Sequence, residues 1–302
     1  MDMKTGAIIP PLIALFFVVL TGCSTPKVVE DAASAPVALP PLAKRQVSYR
    51  VAPLGQTDLV FIGQPRSSDA RSTPAGMAYP GGDPFSFLAA IAVHAAIQGS
   101  VTSAAEQAQI EAANKVLTPF KELIDGLYQA DLLSANQLAG ISEKTDDFEV
   151  GLLEDDRLPT GWLVQLNPMF VMSRSSDAIT AVVTLAINDG RIREIEASAA
   201  PYQKVIAIQS QPVANTQEWL KEEGAKFTDT LQHLVSAAIE LGINQFAGLL
   251  PPKEEASSTL RYLENGEKKI ERGYLISESC SALIFESLRG ELKWIPKNGP
   301  CG

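Results

Sequence analysis

Histidine and cysteine are scarce in this chain, whose 302 residues contain two histidines and three cysteines. Serine and cysteine hydrolases need a nucleophile, a base that is normally histidine, and an acid that orients the base. Only His94 and His233 are available as that base. His94 lies in an apolar, alanine-rich segment typical of a protein core. His233 follows Asp229 by four residues on a predicted helix, where an exposed pair is the ordinary arrangement, so the scarcity argues against a histidine-dependent hydrolase.

The short motifs that position a nucleophile, a metal or a phosphate are also missing. The sequence has no G-x-S-x-G, H-E-x-x-H, Walker A or G-x-G-x-x-G motif. Asp146–Asp156 is rich in carboxylates but lacks the spacing of a calcium loop, and we interpret it as a solvated acidic loop. The sequence therefore gives no catalytic residue, cofactor or metal site. A cell-wall hydrolase that uses two carboxylates remains an alternative, because such a site needs only a suitable distance between the two carboxylates in the folded protein, which a sequence does not show.

Basic residues are fewer than acidic ones, 25 against 35, and the formal net charge is −10. A surface of that sign repels polyanions, so nucleic acid is not an expected partner. The composition is otherwise that of an ordinary globular protein, with 46% hydrophobic and 20% charged residues.

The N-terminal segment has the three parts of a secretory signal: the positive Lys4, an apolar run over Ala7–Leu20, and a small-residue processing site. The run is too short to span a bilayer as a helix. The last part, Leu20-Thr21-Gly22-Cys23, resembles the lipobox of bacterial lipoprotein signal peptides. The resemblance covers the first 23 residues and implies that residues 1–22 are removed and that the Cys23 thiol is lipidated. The alternative is an ordinary secretion signal in which Cys23 is incidental.

Lipidation makes the membrane the first expected partner. Each buried methylene of an acyl chain contributes about 0.8 kcal/mol, so two or three chains hold a protein on a bilayer. Ser24 stands where enterobacterial lipoproteins retained in the inner membrane have Asp, which favours the outer membrane, facing the periplasm. Residues 23–45 are rich in Pro, Ala, Ser and Val and predict a flexible tether.

The two remaining cysteines, Cys280 and Cys301, predict a disulfide, because secretion sends the chain to an oxidising compartment. The bridge closes a loop of about 22 residues and contributes about 3 kcal/mol in the chain-entropy model. A metal or redox role lacks the C-x-x-C spacing and any nearby histidine.

Hydrophobic periodicity predicts both strands and helices. Alternation predicts strands over Gln46–Val51, Asp58–Ile62, Trp162–Met172, Ala178–Asn188, Ile192–Ser198, Lys204–Ser210, Thr259–Leu263, Lys269–Ser277, Ala282–Ser287 and Glu291–Ile295. Apolar or amphipathic patterns predict helices over Phe85–Ile97, Ser103–Leu117, Thr118–Tyr128, Leu133–Ile141 and Asn215–Gly248. The turn-prone Ser175–Asp177 and Asn265-Gly266 indicate antiparallel hairpins.

These elements predict an α+β domain over residues 46–302, with a largely antiparallel sheet packed with alanine-rich and amphipathic helices. An alternative division near residue 150 separates a helical from a sheet-rich lobe. The expected function is a membrane-anchored, noncatalytic binding or scaffolding protein for an envelope protein or peptidoglycan. Two alternatives are an anchored cell-wall hydrolase that uses carboxylates, and a lipid or small-ligand carrier that uses the apolar face of Phe85–Ile97.

Overall fold

The computed structural model describes residues 47–52, 59–65, 104–143, 148–153, 161–190 and 200–297. Several sequence predictions lie outside these ranges: the lipobox with Cys23, the tether up to residue 45, the apolar helix Phe85–Ile97 with His94, the strand Ile192–Ser198, and Cys301. Among the described residues, no helix is both long enough and apolar enough to cross a membrane.

In the described part of the chain, ten strands form one sheet. In chain order they are β1 Val47–Val51, β2 Val60–Gly63, β3 Phe148–Leu152, β4 Trp162–Met172, β5 Ile179–Asp189, β6 Tyr202–Gln209, β7 Ser258–Glu264, β8 Glu267–Glu278, β9 Ala282–Ser287 and β10 Leu292–Pro296. The α-helices are α1 Ala104–Asn114, α2 Lys121–Asp125, α3 Ala135–Ser142 and α4 Ala225–Phe246, and short 3-10 turns cover Lys115–Phe120, Gln129–Leu132, Thr216–Trp219 and Lys221–Gly224. The α+β class predicted from the sequence is confirmed.

The sheet is mostly antiparallel but mixed, with strand order β3-β1-β4-β5-β6-β10-β9-β8-β7 and β2 beside β4. The antiparallel pairs β4/β5 and β7/β8 confirm the hairpins predicted at Ser175–Asp177 and Asn265-Gly266, and the pairs β5/β6, β8/β9 and β9/β10 are antiparallel as well. The pairs β1/β3, β1/β4, β2/β4 and β6/β10 are parallel. The sequence did not indicate these parallel pairs, because each joins strands that no short turn connects.

Strand β4 receives two partners along one flank. β1 pairs with Trp162–Val164, and β2 pairs with Met169–Met172. Pro168, which has no backbone N–H to donate, lies in the gap between the two partners, and on its other side β4 pairs with β5 throughout. A proline is tolerated within a strand where the ladder is interrupted, so the gap explains how an inner strand accommodates Pro168.

Helix α4 covers β5 and β6 and carries the predicted apolar stripe. Phe227, Leu231, Leu234, Ala238 and Leu241 are all buried in the main core, as the spacing by three and four predicts. Gly242 permits the close approach, since a Cβ there would lie 2.7 Å from Leu185 Cδ1 and 2.8 Å from Ile206 Cδ1.

The long helix begins ten residues later than the sequence predicts. The expected helix starts at Asn215, but regular α-helix starts at Ala225. Glu222, Glu223 and Gly224 have φ values of 50°, 56° and 85°, a left-handed backbone that no α-helix contains. The residues before this break form 3-10 turns, and Trp219 Nε1 donates a hydrogen bond of 2.7 Å to Ser176 O.

Two further expectations need correction. The acidic segment Asp146–Asp156 is not all loop, because β3 lies within it, with Phe148 and Val150 buried and Glu149 exposed. The alternation over Ala178–Asn188 also predicts a strand with one buried face, and this expectation is wrong. Ile179, Ala181, Val183, Leu185 and Ile187 share one buried face as expected, but the opposite face, with Thr180, Val182, Ala186 and Asn188, is buried as well.

The C-terminal strands β7–β10 curl back toward β5 and β6. The β7–β8 turn is the predicted Asn265-Gly266, with φ values of 50° and 79°. The Asn265 backbone N–H donates to Gln209 Oε1 at 3.1 Å, and Thr180 Oγ1 donates to Asn265 Oδ1 at 3.0 Å. The turn of the β7–β8 hairpin therefore reaches the middle of the sheet, and β7–β10 enclose a concave side of their own.

Candidate functional site

Strand β7 is the last strand of the sheet order. Its inner edge pairs with β8 over its whole length, and the described part of the chain places no strand against its outer edge. An open edge presents backbone N–H and C=O groups that can pair with a further extended segment.

A groove of about 580 Å³ lies along this edge. Five successive residues of β7, Thr259 to Leu263, line one side of it. Successive strand residues point to opposite faces of a sheet, so a groove that touches five in a row faces the edge of the strand and not one of its faces. The other walls belong to the ends of β8, β9 and β10, with Glu278, Cys280, Leu283, Ile295, Pro296 and Lys297.

The floor of the groove is apolar. Leu260, Tyr262, Leu283 and Ile295 line it, and they belong to a small cluster that also contains the fully buried Phe285. The rings of Tyr262 and Phe285 lie 5.4 Å apart. An apolar floor beside open backbone groups is the arrangement that binds an extended peptide, since the backbone supplies hydrogen bonds and the floor accepts alternate side chains.

Charged groups lie at the rim. Lys297 forms an ion pair with Glu278, and Arg261 belongs to the exposed side of β7. Cys280 is an exposed residue between β8 and β9 and also lines the groove. Its predicted partner Cys301 lies outside the described residues, so the disulfide stays a prediction.

A buried lysine holds the concave side together. Lys293 of β10 is fully buried, and its Nζ lies 2.9 Å from Glu271 Oε2, 3.9 Å from Glu264 Oε1 and 3.8 Å from Glu291 Oε2. A charge is tolerated inside a protein only when opposite charges and hydrogen bonds compensate it. Because Glu264 and Glu271 come from β7 and β8, this cluster ties the hairpin to β10 across the curled sheet.

The groove floor shares this cluster. The Tyr262 hydroxyl donates a hydrogen bond of 2.5 Å to Glu271 Oε2, the same oxygen that Lys293 binds. Burial and the neighbouring Glu264 carboxylate raise the pKa of Tyr262, so this phenol stays protonated and remains a donor. The Tyr262 ring on the groove floor is therefore held in place by the hydrogen bond of its hydroxyl to Glu271.

Asp229 and His233, the pair that the sequence singled out, lie on an exposed side of α4. With Ser236 and Glu240 they line a groove of about 340 Å³ between α4 and α3. The Ser236 hydroxyl is buried and has no hydrogen-bond partner, but no hydrogen bond among the described residues joins His233 to Asp229 or to Ser236. The contacts that activate a serine nucleophile are not assembled there.

No three His, Cys, Asp or Glu side chains in the described ranges are grouped to hold a metal ion. Sequence reasoning missed the β7 groove, because its walls come from separate strands of the chain and only the curl of the sheet brings them together. Comparison with known proteins finds no family model, no curated protein and no solved structure that matches.

Proposed function

We propose that this protein is a lipid-anchored lipoprotein of the bacterial envelope, held in the outer membrane and facing the periplasm, that binds a partner without catalysis. The partner site is the groove at the edge of β7, and its occupant is an extended polypeptide segment of another envelope protein. The observation that carries the proposal is the contact of the groove with five successive residues of an open strand edge, above an apolar floor.

The lipobox-like Leu20–Cys23 supports the anchor, and the Pro- and Ala-rich residues 23–45 support a tether between the lipid and the folded domain. A domain tethered to the membrane meets partners that reside at the same membrane at high effective concentration. Modest affinity for an exposed strand of a partner is then sufficient for stable association.

The anchor is tested by replacing Cys23 with Ala in the full-length chain and fractionating the cells. We expect the variant to leave the membrane fraction, with Ser24→Ala as the control that stays bound. Mass spectrometry of the mature wild-type protein should find acyl chains on an N-terminal Cys23. A variant that still sediments with membranes would overturn lipid anchoring, without affecting the groove.

The groove is tested by photo-crosslinking in whole cells. A photoreactive residue at Lys297, which lines the groove and is not part of the outer face of β7, should capture a partner segment, whereas the same residue at the exposed Lys221 should not. Leu260→Asp, which places a charge on the apolar floor, should abolish the adduct. Equal capture at both positions, or an adduct with this chain's own residues 23–46 or 298–302, would contradict a partner in the groove. An adduct with a peptidoglycan stem would assign it to the cell wall.

A further inference from the structure

The outer face of the β7–β8 hairpin has a charge opposite to that of the whole protein. Alternation along the two strands places six side chains on this face, and all six are exposed: Thr259, Arg261, Leu263, Lys268, Ile270 and Arg272. Three are cations and none is acidic, in a chain whose formal net charge is −10.

The cations on this face are available to a partner. Arg272 donates a hydrogen bond to Ser257 Oγ at 2.8 Å, and within the described ranges none of Arg261, Lys268 and Arg272 forms an ion pair. The carboxylates of the hairpin are on the concave side, where Glu264 and Glu271 compensate Lys293. The strand alternation therefore leaves only cations among the charged side chains of the outer face, whereas the concave side contains both signs, with Lys269 and Lys293 beside the glutamates.

Aliphatic side chains stand between the cations. Ile270 is 70% exposed and is paired with Arg261, and Leu263 is 41% exposed and is paired with Lys268. Leu288, which is 52% exposed, adjoins the face because its backbone N–H donates to Arg272 O. Exposed aliphatic residues interspersed with unpaired cations are typical of surfaces that bind at the interface of an anionic bilayer.

We propose that this hairpin face, defined by Arg261, Leu263, Lys268, Ile270 and Arg272, docks on the surface of a membrane that contains anionic phospholipid. The cations bind the headgroups while Ile270, Leu263 and Leu288 enter the apolar boundary beneath them. An acidic protein would match the charge but would have to cover three exposed aliphatic residues as well, which a bilayer does without any specific register. The inference rests on the proposed anchor only in that the anchor keeps this membrane within reach.

The test uses the mature, acylated protein inserted in vesicles, with an environment-sensitive fluorophore at Leu288→Cys. We expect a blue shift in vesicles of phosphatidylcholine with phosphatidylglycerol, a weaker one in phosphatidylcholine alone, and reversal by high salt. A fluorophore at Lys221→Cys should not respond, and the parent chain treated with the same reagent corrects for labelling at Cys280 or Cys301.

Two variants outside the groove separate the contributions. Each cation near an anionic surface changes the docking equilibrium about fivefold, so Lys268→Gln with Arg272→Gln should weaken docking roughly 25-fold. Ile270→Ser should reduce the blue shift in both kinds of vesicle. Glu222→Gln with Glu223→Gln, which changes two charges elsewhere, should leave docking unchanged.

Failure of the anchor and failure of the face give different results. A protein that does not float with neutral vesicles has no acyl anchor, whereas one that floats without any fluorophore response has no docking face. A response that appears only with native membranes, and not with protein-free anionic vesicles, would assign the face to an acidic protein and overturn the proposal.

Discussion

Beneath α4, strands β5 and β6 fill the interior with aliphatic and aromatic side chains, whereas the concave side of β7–β10 encloses Lys293 among three glutamates. Both halves belong to one sheet, but among the residues that the structure describes only the first half has a helix over its core face. Apolar packing stabilises without fixing direction, and a buried charge cluster tolerates very few arrangements of its strands. The hairpin half is thus held by polar contacts where the other half has a helix, and no described strand pairs with the outer edge of β7.

The largest effect is expected in the helix-covered half. Phe227 is fully buried and its ring lies 5.8 Å from Phe61, 6.0 Å from Phe120 and 6.1 Å from Trp219. Phe227→Ala should lower the free energy of unfolding by about 3–5 kcal/mol, because it leaves a cavity where three elements meet. Urea denaturation measures this loss. His233→Ala, on the exposed side of the same helix, should stay within about 0.5 kcal/mol, and a comparable loss would argue against α4 as the centre of the core.

In the hairpin half, Lys293→Met should cost about 3 kcal/mol, since it removes the cation that binds Glu271 and leaves the buried Glu264 with Lys269, whose Nζ lies 3.9 Å from Glu264 Oε2. Chemical denaturation of the variant gives the value, and Lys268→Gln on the outer face is the matched control with little change. Adding Glu271→Gln to Lys293→Met should restore part of the loss. If Lys293→Met is as stable as wild type, the charge cluster does not stabilise the hairpin half.

Tyr262 in the hairpin half and Tyr49 in the helix-covered half allow a further test of this difference. The Tyr262 hydroxyl has a hydrogen-bond partner, Glu271. Tyr262→Phe keeps the ring on the groove floor and removes the hydrogen bond to Glu271. A hydrogen bond to a charged group is worth about 1.5–3 kcal/mol, so we expect a loss in that range in thermal or urea unfolding. A neutral result would mean that the floor is held by ring packing alone.

Tyr49, in the helix-covered half, should behave in the opposite way. Its hydroxyl is buried and has no hydrogen-bond partner, so Tyr49→Phe should be neutral or slightly stabilising at pH 7. Burial raises the pKa of Tyr49 to about 12 from an ordinary value near 10. Above pH 10 the unfolded chain releases this proton and the folded chain retains it, so wild-type stability falls as pH rises toward 12. In Tyr49→Phe, unfolding measured from pH 9 to 11 should show a shallower fall, and an unchanged slope would contradict the assignment.

Local patterns predicted much of the fold. Asn265-Gly266 sits in the hairpin that its tolerance for positive φ predicts, and the apolar stripe of α4 faces the sheet. Strand β3 was missed because the flanking acids hid the alternation of Phe148 and Val150 around Glu149. The start of α4 was missed because nothing in Lys221–Gly224 signals its left-handed backbone.

Local sequence patterns do not predict the groove at the edge of β7, and the reason is a different one. The alternation in β7 indicates which residues share a face, but not that its outer edge stays open or that it curls toward β10. Lys293 was predicted only as a strand residue, since its burial depends on carboxylates that come from other strands. The groove depends on contacts between strands that are far apart in the chain, and a single sequence contains little information about such contacts.

The interrupted flank of β4 bears on how the sheet opens. Because β1 and β2 bond to separate stretches on either side of Pro168, neither contributes to the other's ladder along that strand. Amide protons of Val47–Val51 and of Val60–Gly63 should therefore exchange with solvent at independent rates, as two cooperative units rather than one. This end of the protein can release one strand to solvent while keeping the other, a partial opening that the continuous antiparallel ladder of β4 and β5 does not permit.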